Sequence, residues 1–182
     1  MSEGREELLA DWIETPVGSM IAVANRSHVH LLEFHDRNAL PSELRRLQQR
    51  TRSTIGMGRT PAIDHMDEEL EAYFAGRLQT FETPLAPDGT AFEQQVWGEL
   101  RKIPFGETRS YAEVARAIGS VSAVRAVARA NATNRIAIVI PCHRVIGSDG
   151  SLTGYAGGLE RKQWLLRHEG RIRPVGLFEG RI

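Results

Sequence analysis

Apolar and polar positions alternate through the first part of the chain. Residues 12–15, 20–24 and 29–34 read as strands, separated by the turn formers Pro16-Val17-Gly18 and Asn25-Arg26-Ser27. Short strands joined by tight turns predict an antiparallel meander. The period then changes: Leu40, Leu44 and Leu47 recur at helical spacing, as do Met66, Leu70, Tyr73 and Phe74. Pro84-Leu85-Ala86-Pro87-Asp88-Gly89 lacks either period and is the best linker candidate.

Beyond it the pattern is mostly helical. Thr90 and Glu93 form a capping-box pair ahead of Phe92, Val96, Trp97 and Leu100. Ser110 and Glu113 repeat the device and open a short helix that stops at Gly119. Ser122 is a candidate cap for a second helix running to about Asn131, and two short helices across a glycine turn predict a helix-turn-helix. The apolar run 136–140 reads as a strand leading into Pro141-Cys142-His143-Arg144-Val145. A last helix is expected over 159–169, ending at Gly170. The expected fold is α/β with two small domains, residues 1–86 and 87–182.

The net charge of the 182 residues is zero, but the halves differ. Residues 1–86 carry nine basic against fourteen acidic side chains, and residues 87–182 carry fourteen against nine. A phosphate-binding surface therefore belongs to the second half. No apolar run approaches membrane-span length, and the first residues lack a signal peptide's basic and apolar regions, so a soluble, cytoplasmic protein with no membrane partner is expected. The single cysteine, Cys142, excludes an internal disulfide, and no cysteine cluster offers a zinc site. His28, His30, His35 and His65 read as surface residues; no metal is expected.

Two segments carry candidate chemistry. Ala123, Ala126, Ala128 and Ala130 make the second helix slim, with Arg125 and Arg129 on one face. Such a helix suits close approach to a nucleic-acid backbone or minor groove, although the helix alone reads better as alanine-rich packing with solvated arginines. Cys142 has His143 beside it and glycine-rich segments soon after, Gly147-Ser148-Asp149-Gly150 and Gly154-Tyr155-Ala156-Gly157-Gly158. Clustered glycines leave room for a flat ligand against backbone amides, and a reactive cysteine needs a neighbouring base or cation to acquire thiolate character. An arbitrary Cys-His pair would read as core filler beside a surface histidine.

The longer string decides between these readings. Ile140-Pro141-Cys142-His143-Arg144-Val145-Ile146-Gly147, with Thr153-Gly154-Tyr155-Ala156-Gly157-Gly158 and Lys162-Gln163-Trp164-Leu165-Leu166, closely resembles the O6-alkylguanine-DNA alkyltransferase family. Val96-Trp97, residues 103–108, Ser110-Tyr111, Arg125-Ala126-Val127 and Asn134 fit in register, so the resemblance covers roughly residues 90–170. The amino-terminal half fits only loosely, through its meander and Glu71-Ala72-Tyr73-Phe74-Ala75-Gly76.

The resemblance implies a set of roles. Cys142 would be the nucleophile and permanent alkyl acceptor, His143 would take its proton through a water, Glu169 would hold the imidazole and Asn134 would brace the turn. Tyr111 would assist the leaving guanine, the Ala156 amide would donate to O6, and the Cys142 and Val145 carbonyls would hold the guanine edge, with Tyr155 also lining the pocket. The target atom is buried in duplex DNA, so the base must be flipped out; Arg125 would fill the vacated stack, and Tyr111, Ala112, Ser120, Arg125 and Ser148 would contact DNA. Residues 1–86 would form a ribonuclease-H-like support and residues 87–182 a winged-helix-like domain. The implied protein is a monomeric, single-turnover methyltransferase of DNA repair, without cofactor, acting on double-stranded DNA that contains O6-alkylguanine.

The chain departs from the family pattern at Ala128-Arg129, where many members have two small residues, and at Arg135, a frequent proline. The alternatives are an alkylation-sensing domain of a transcription-regulatory system and a cysteine hydrolase. The first lacks a second helix-turn-helix or metal-binding cysteines in this chain; the second needs a histidine remote in sequence and an oxyanion hole.

Overall fold

The computed structural model describes residues 6–173. They divide into two compact units, one ending at Asp88 and the other beginning at Gly89.

The first unit is a four-stranded sheet with two helices. Strands β1 (Leu8–Ile13), β2 (Met20–Ala24) and β3 (Val29–Phe34) form the expected antiparallel meander. The first strand lies earlier than expected, because Leu8 and Ala10 are buried on one face of the sheet while Thr15 turns the chain by donating to the Gly18 carbonyl. A short strand that alternation did not reveal, β4 (Ile55–Met57), pairs parallel with β1, giving the order β3-β2-β1-β4.

Every residue of β2 is buried. Ile21 and Val23 join Leu8, Ala10 and Leu31 in a cluster with Leu40 and Leu47 of α1 (Leu40–Thr51). Helix α2 (Pro61–Phe74) packs on β2 and β3 and buries Ile63, Met66, Leu70 and Tyr73. Its Glu69 accepts the backbone N–H groups of Glu82 and Thr83, each at 2.7 Å, which ties down the chain ahead of residues 84–86; these pair with Val29.

The second unit is mostly helical. Both capping boxes form: Thr90 with Glu93 opens α3 (Ala91–Leu100), and Ser110 with Glu113 opens α4 (Tyr111–Ala117). The turn after α4 passes through Gly119 at φ 77°, where a residue without Cβ avoids strain. Ser122 does not cap the next helix. Residues Val121–Ala123 form a 3-10 turn, and α5 (Val124–Ala132) begins beyond it at Ala123 with no side-chain cap. The Trp97 indole donates to the Ala130 carbonyl at 2.8 Å and locks α3 onto α5, completing the helix-turn-helix.

The apolar run 136–140 is not a strand. It is buried, but it turns, with Ile138 at φ 72°. Left-handed backbone at a β-branched residue costs about 1–3 kcal/mol and persists only where its surroundings hold it. Helix α6 spans Leu159–Ile172, running through Gly170 rather than stopping there. A glycine inside a helix weakens it without ending it. Among the described residues no helix is long and apolar enough to cross a membrane.

Candidate active site

Three pieces of the second unit converge on Cys142. Residues Cys142–Arg144 form a single 3-10 turn, and the following strand β6 (Val145–Ile146) pairs parallel with β5 (Arg109–Ser110). That pairing brings the start of α4, and so Tyr111, beside the cysteine segment. Helix α6 covers the turn from its other side.

Asn134 organises the approach. Its amide NH2 donates to the Ile140 carbonyl at 2.8 Å and lies 3.2 Å from the Cys142 sulfur, while its oxygen accepts from the Ile136 N–H at 3.0 Å. One buried side chain thus closes the 136–140 turn and holds the thiol. Cys142 is 5 % exposed, with its carbonyl receiving the Asn131 amide at 3.3 Å.

His143 is fully buried, against the bland reading of a surface residue. Its Nε2 lies 2.6 Å from Glu169 Oε2. The carboxylate also receives Arg144 Nε at 2.7 Å, Arg144 Nη2 at 3.2 Å and the Gly106 N–H at 3.2 Å. Arg144 Nη1 donates to the Ile103 carbonyl at 2.8 Å, and the guanidinium sits over the Phe105 ring.

The charges follow from this geometry. Burial would raise the Glu169 pKa, but the pull of His143 and Arg144 outweighs it and holds the carboxyl well below its usual range. Burial dominates at His143 and pushes its pKa down despite Glu169. The imidazole is therefore neutral at neutral pH. An ionised Glu169 can only accept, so the single ring proton sits on Nε2. Nδ1 carries a lone pair and makes no hydrogen bond to the protein. This is a buried base, oriented by a carboxylate and one residue from a thiol.

Tyr111 is half-buried, and its hydroxyl donates to the Thr153 carbonyl at 3.1 Å. Burial pushes its pKa up, so it remains a proton donor. Val145 is buried in β6, whereas Tyr155 is half-buried and Ala156 exposed in the glycine-rich segment. Arg125 and Arg129 are both exposed on α5, one turn apart, and Val127, Ala130 and Asn131 are buried. Ala112 and Ser120 are half-buried, and Ser148 is exposed in the turn closed by Gly147 and Ser151. The structure thus forms two hydrogen-bonded pairs, Cys142 with Asn134 and His143 with Glu169, joined through one 3-10 turn, with Tyr111 and the 153–158 segment beside it, and leaves Arg125 and Ser148 on the surface. Of the departures from the family pattern, Arg135 is buried and Ala128 half-buried. Among the described residues no group of three or more His, Cys, Asp or Glu side chains could hold a metal.

Residue-by-residue reading missed three members. Arg144 neutralises Glu169, Asn131 holds the Cys142 carbonyl, and Lys162 is buried with its ammonium 2.6 Å from the Val145 carbonyl and 3.0 Å from that of Thr153. A lysine among the apolar positions of the last helix was the available signal for the third.

A thiol held by an amide, beside a buried imidazole oriented by a carboxylate, is the arrangement that cysteine chemistry requires. A family model described as 6-O-methylguanine DNA methyltransferase, DNA binding domain, matches residues 91–171. A methylated-DNA–protein-cysteine methyltransferase of Methanosarcina barkeri is 44% identical over 162 residues, which are 87% of this chain and 95% of that protein. The crystal structure of Mycobacterium tuberculosis O6-methylguanine methyltransferase superposes with a TM-score of 0.78 at 41% identity, covering 94% of this chain and 98% of that one. A second structure from M. tuberculosis, in complex with DNA, superposes with a TM-score of 0.77 at 40% identity, covering 93% of this chain and 96% of that one. The chain belongs to the methylated-DNA–protein-cysteine methyltransferase family.

Proposed function

We propose that this chain repairs DNA by direct reversal, moving the alkyl group of an O6-alkylguanine onto Cys142 once per chain and acting as a monomer. The observation that carries the reading is the orphaned Nδ1 of His143, a base held by Glu169 beside the only thiol. The thiol proton passes through a bridging water to Nδ1. The sulfur lone pair forms the new S–C bond as the C–O6 bond breaks, and its electrons stay on guanine. Guanine takes up a proton, so the proton lost by the thiol is balanced on the departing base. Tyr111, its hydroxyl turned from the Thr153 carbonyl to the bound base, supplies the donor that relieves the developing charge, and the Ala156 amide faces O6, while the Cys142 and Val145 carbonyls accept from the guanine edge.

A base inside a duplex cannot reach a buried thiol, so it is extruded into this pocket. Arg125 is exposed on a slim helix and is the side chain placed to fill the gap. Ala112, Ser120, Tyr111 and Ser148 meet the strand around it, and Tyr155 lines the pocket. The thioether formed has no leaving chemistry, and no second cysteine is present to resolve it.

Intact-mass measurement after incubation with a duplex holding one O6-methylguanine tests the reading. One added methyl per chain, on Cys142, is expected. Sustained turnover, or unrepaired DNA beside unmodified protein, would overturn it. The sensing role is not favoured, since the methyltransferases matched align over nearly their whole length.

A further inference from the structure

Lys162 is a buried charge near Cys142 that the proposed chemistry does not use. Its side chain is 0 % exposed, and among the described residues its ammonium donates only to backbone carbonyls, Val145 at 2.6 Å and Thr153 at 3.0 Å. These carbonyls belong to different walls. Val145 starts the strand that follows the cysteine turn, and Thr153 starts the glycine-rich segment that ends at Gly158, whose carbonyl accepts the Lys162 N–H. Thr153 also receives the Tyr111 hydroxyl, and the ammonium lies 5.9 Å from the centre of the Tyr111 ring.

We infer that the Lys162 ammonium is a positioning residue for alkyl transfer, strapping the Val145 wall to the Thr153 wall and so fixing the pocket in which the guanine edge, Tyr111 and the Cys142 sulfur meet. The inference rests on the proposed function, because it assigns Lys162 to that reaction. Burying an ammonium without a carboxylate costs several kcal/mol, and a neutral or apolar side chain fills a core at lower cost. A charge kept there serves something that a filler does not. Two carbonyls held by one cation cannot drift apart, and a displacement near 1 Å in a reacting geometry slows chemistry by roughly 10²-fold.

The groups facing the ammonium give the strap a pH sense. They are Tyr111 from α4, with Cys142 and His143 from the 3-10 turn. Burial pushes the Lys162 pKa down to about 8, while a Cys142 thiolate pulls it up. By the same attraction the ammonium favours the thiolate, and it disfavours an imidazolium at His143. The ammonium is the form below about pH 8, so transfer falls as pH rises through that value.

The test follows benzyl transfer from free O6-benzylguanine to Cys142 by intact mass, from about pH 6 to about pH 10. Wild type, Lys162→Met and Lys162→Arg are compared, with thermal melts to establish folding. Wild type should lose rate above about pH 8. Lys162→Met should be slower by roughly 10–100-fold at neutral pH and lack that alkaline fall. Lys162→Arg should regain part of the rate and hold it to higher pH, because a guanidinium stays charged. Lys162→Met transferring at the wild-type rate, or keeping the alkaline fall, would overturn the inference. Should Lys162→Met fail to fold, the Arg variant decides: an alkaline fall unmoved from wild type overturns the strap. Wild type that accepts no benzyl from the free base and no methyl from duplex DNA fails the functional reading itself, before any variant is compared.

Discussion

His143 Nε2 and Glu169 Oε2 stand 2.6 Å apart across 26 residues of chain, joining the 3-10 turn of the nucleophile to the far end of α6. The contact settles which ring nitrogen bears the proton, and therefore which is free to act as a base. Glu169→Gln keeps the shape but offers an NH2 as readily as an oxygen, so the imidazole loses its orientation. Transfer from O6-methylguanine duplex to Cys142 is expected to slow by about 10–10²-fold. A wild-type rate across neutral pH, measured by single-turnover methyl transfer, would remove His143 from the relay.

The same pair predicts how stability varies with pH. Both pKa values are lower in the folded chain than the ordinary 6.5 and 4.5, His143 through burial and Glu169 because its cationic neighbours outweigh burial. The unfolded chain therefore binds more protons, and stability falls as pH falls. The loss should begin below about 6.5 as His143 is forced towards charge, and deepen below 4.5. Urea midpoints measured from neutral to acid pH check this. A flat profile would mean that the cluster is not ionised as described.

Arg125 isolates base flipping. Opening the stack costs a few kcal/mol, which an inserted side chain offsets. Arg125→Ala should slow repair of duplex O6-methylguanine at saturating DNA by about tenfold or more, yet leave reaction with free O6-benzylguanine unchanged. Arg129→Ala is the control. A phosphate contact there would weaken binding and its salt dependence without slowing the saturated reaction. Equal slowing of both substrates by Arg125→Ala would make Arg125 a support of the pocket.

Gly89 predicts a purely structural defect. A Cβ there would lie 2.4 Å from Cη2 of Trp97 and 2.5 Å from Cζ3. The indole cannot swing away without losing its bond to the Ala130 carbonyl, which fastens α3 to α5. Gly89→Ala should cost about 1–3 kcal/mol by overpacking, read as a lowered melting temperature. An unchanged melting temperature would show that the indole has room to move.

The sequence by itself determined the local elements whose signals are local. Short apolar stretches between turn formers marked β2 and β3, and a reciprocal pair three residues apart marked the starts of α3 and α4, because each signal acts within one turn or one strand. The motif around Cys142 also pointed to the chemistry, since its residue types are few and their spacing is specific. Tertiary structure decided the rest. β4 pairs with β1 across more than forty residues, which no alternation over three residues can announce. The run 136–140 is as apolar as a strand, and it turns where the Asn134 side chain bonds to Ile136 and Ile140 and the Ile140 N–H donates to the Ile136 carbonyl. Hydrophobicity reports burial, not backbone direction. Arg144 and Lys162 drew no role from the residues alone, because a cation's partners lie far off in sequence. Glu169, the Ile103 carbonyl and the two pocket walls are brought to them only when the second unit closes, and that closure turns a reactive string into a site.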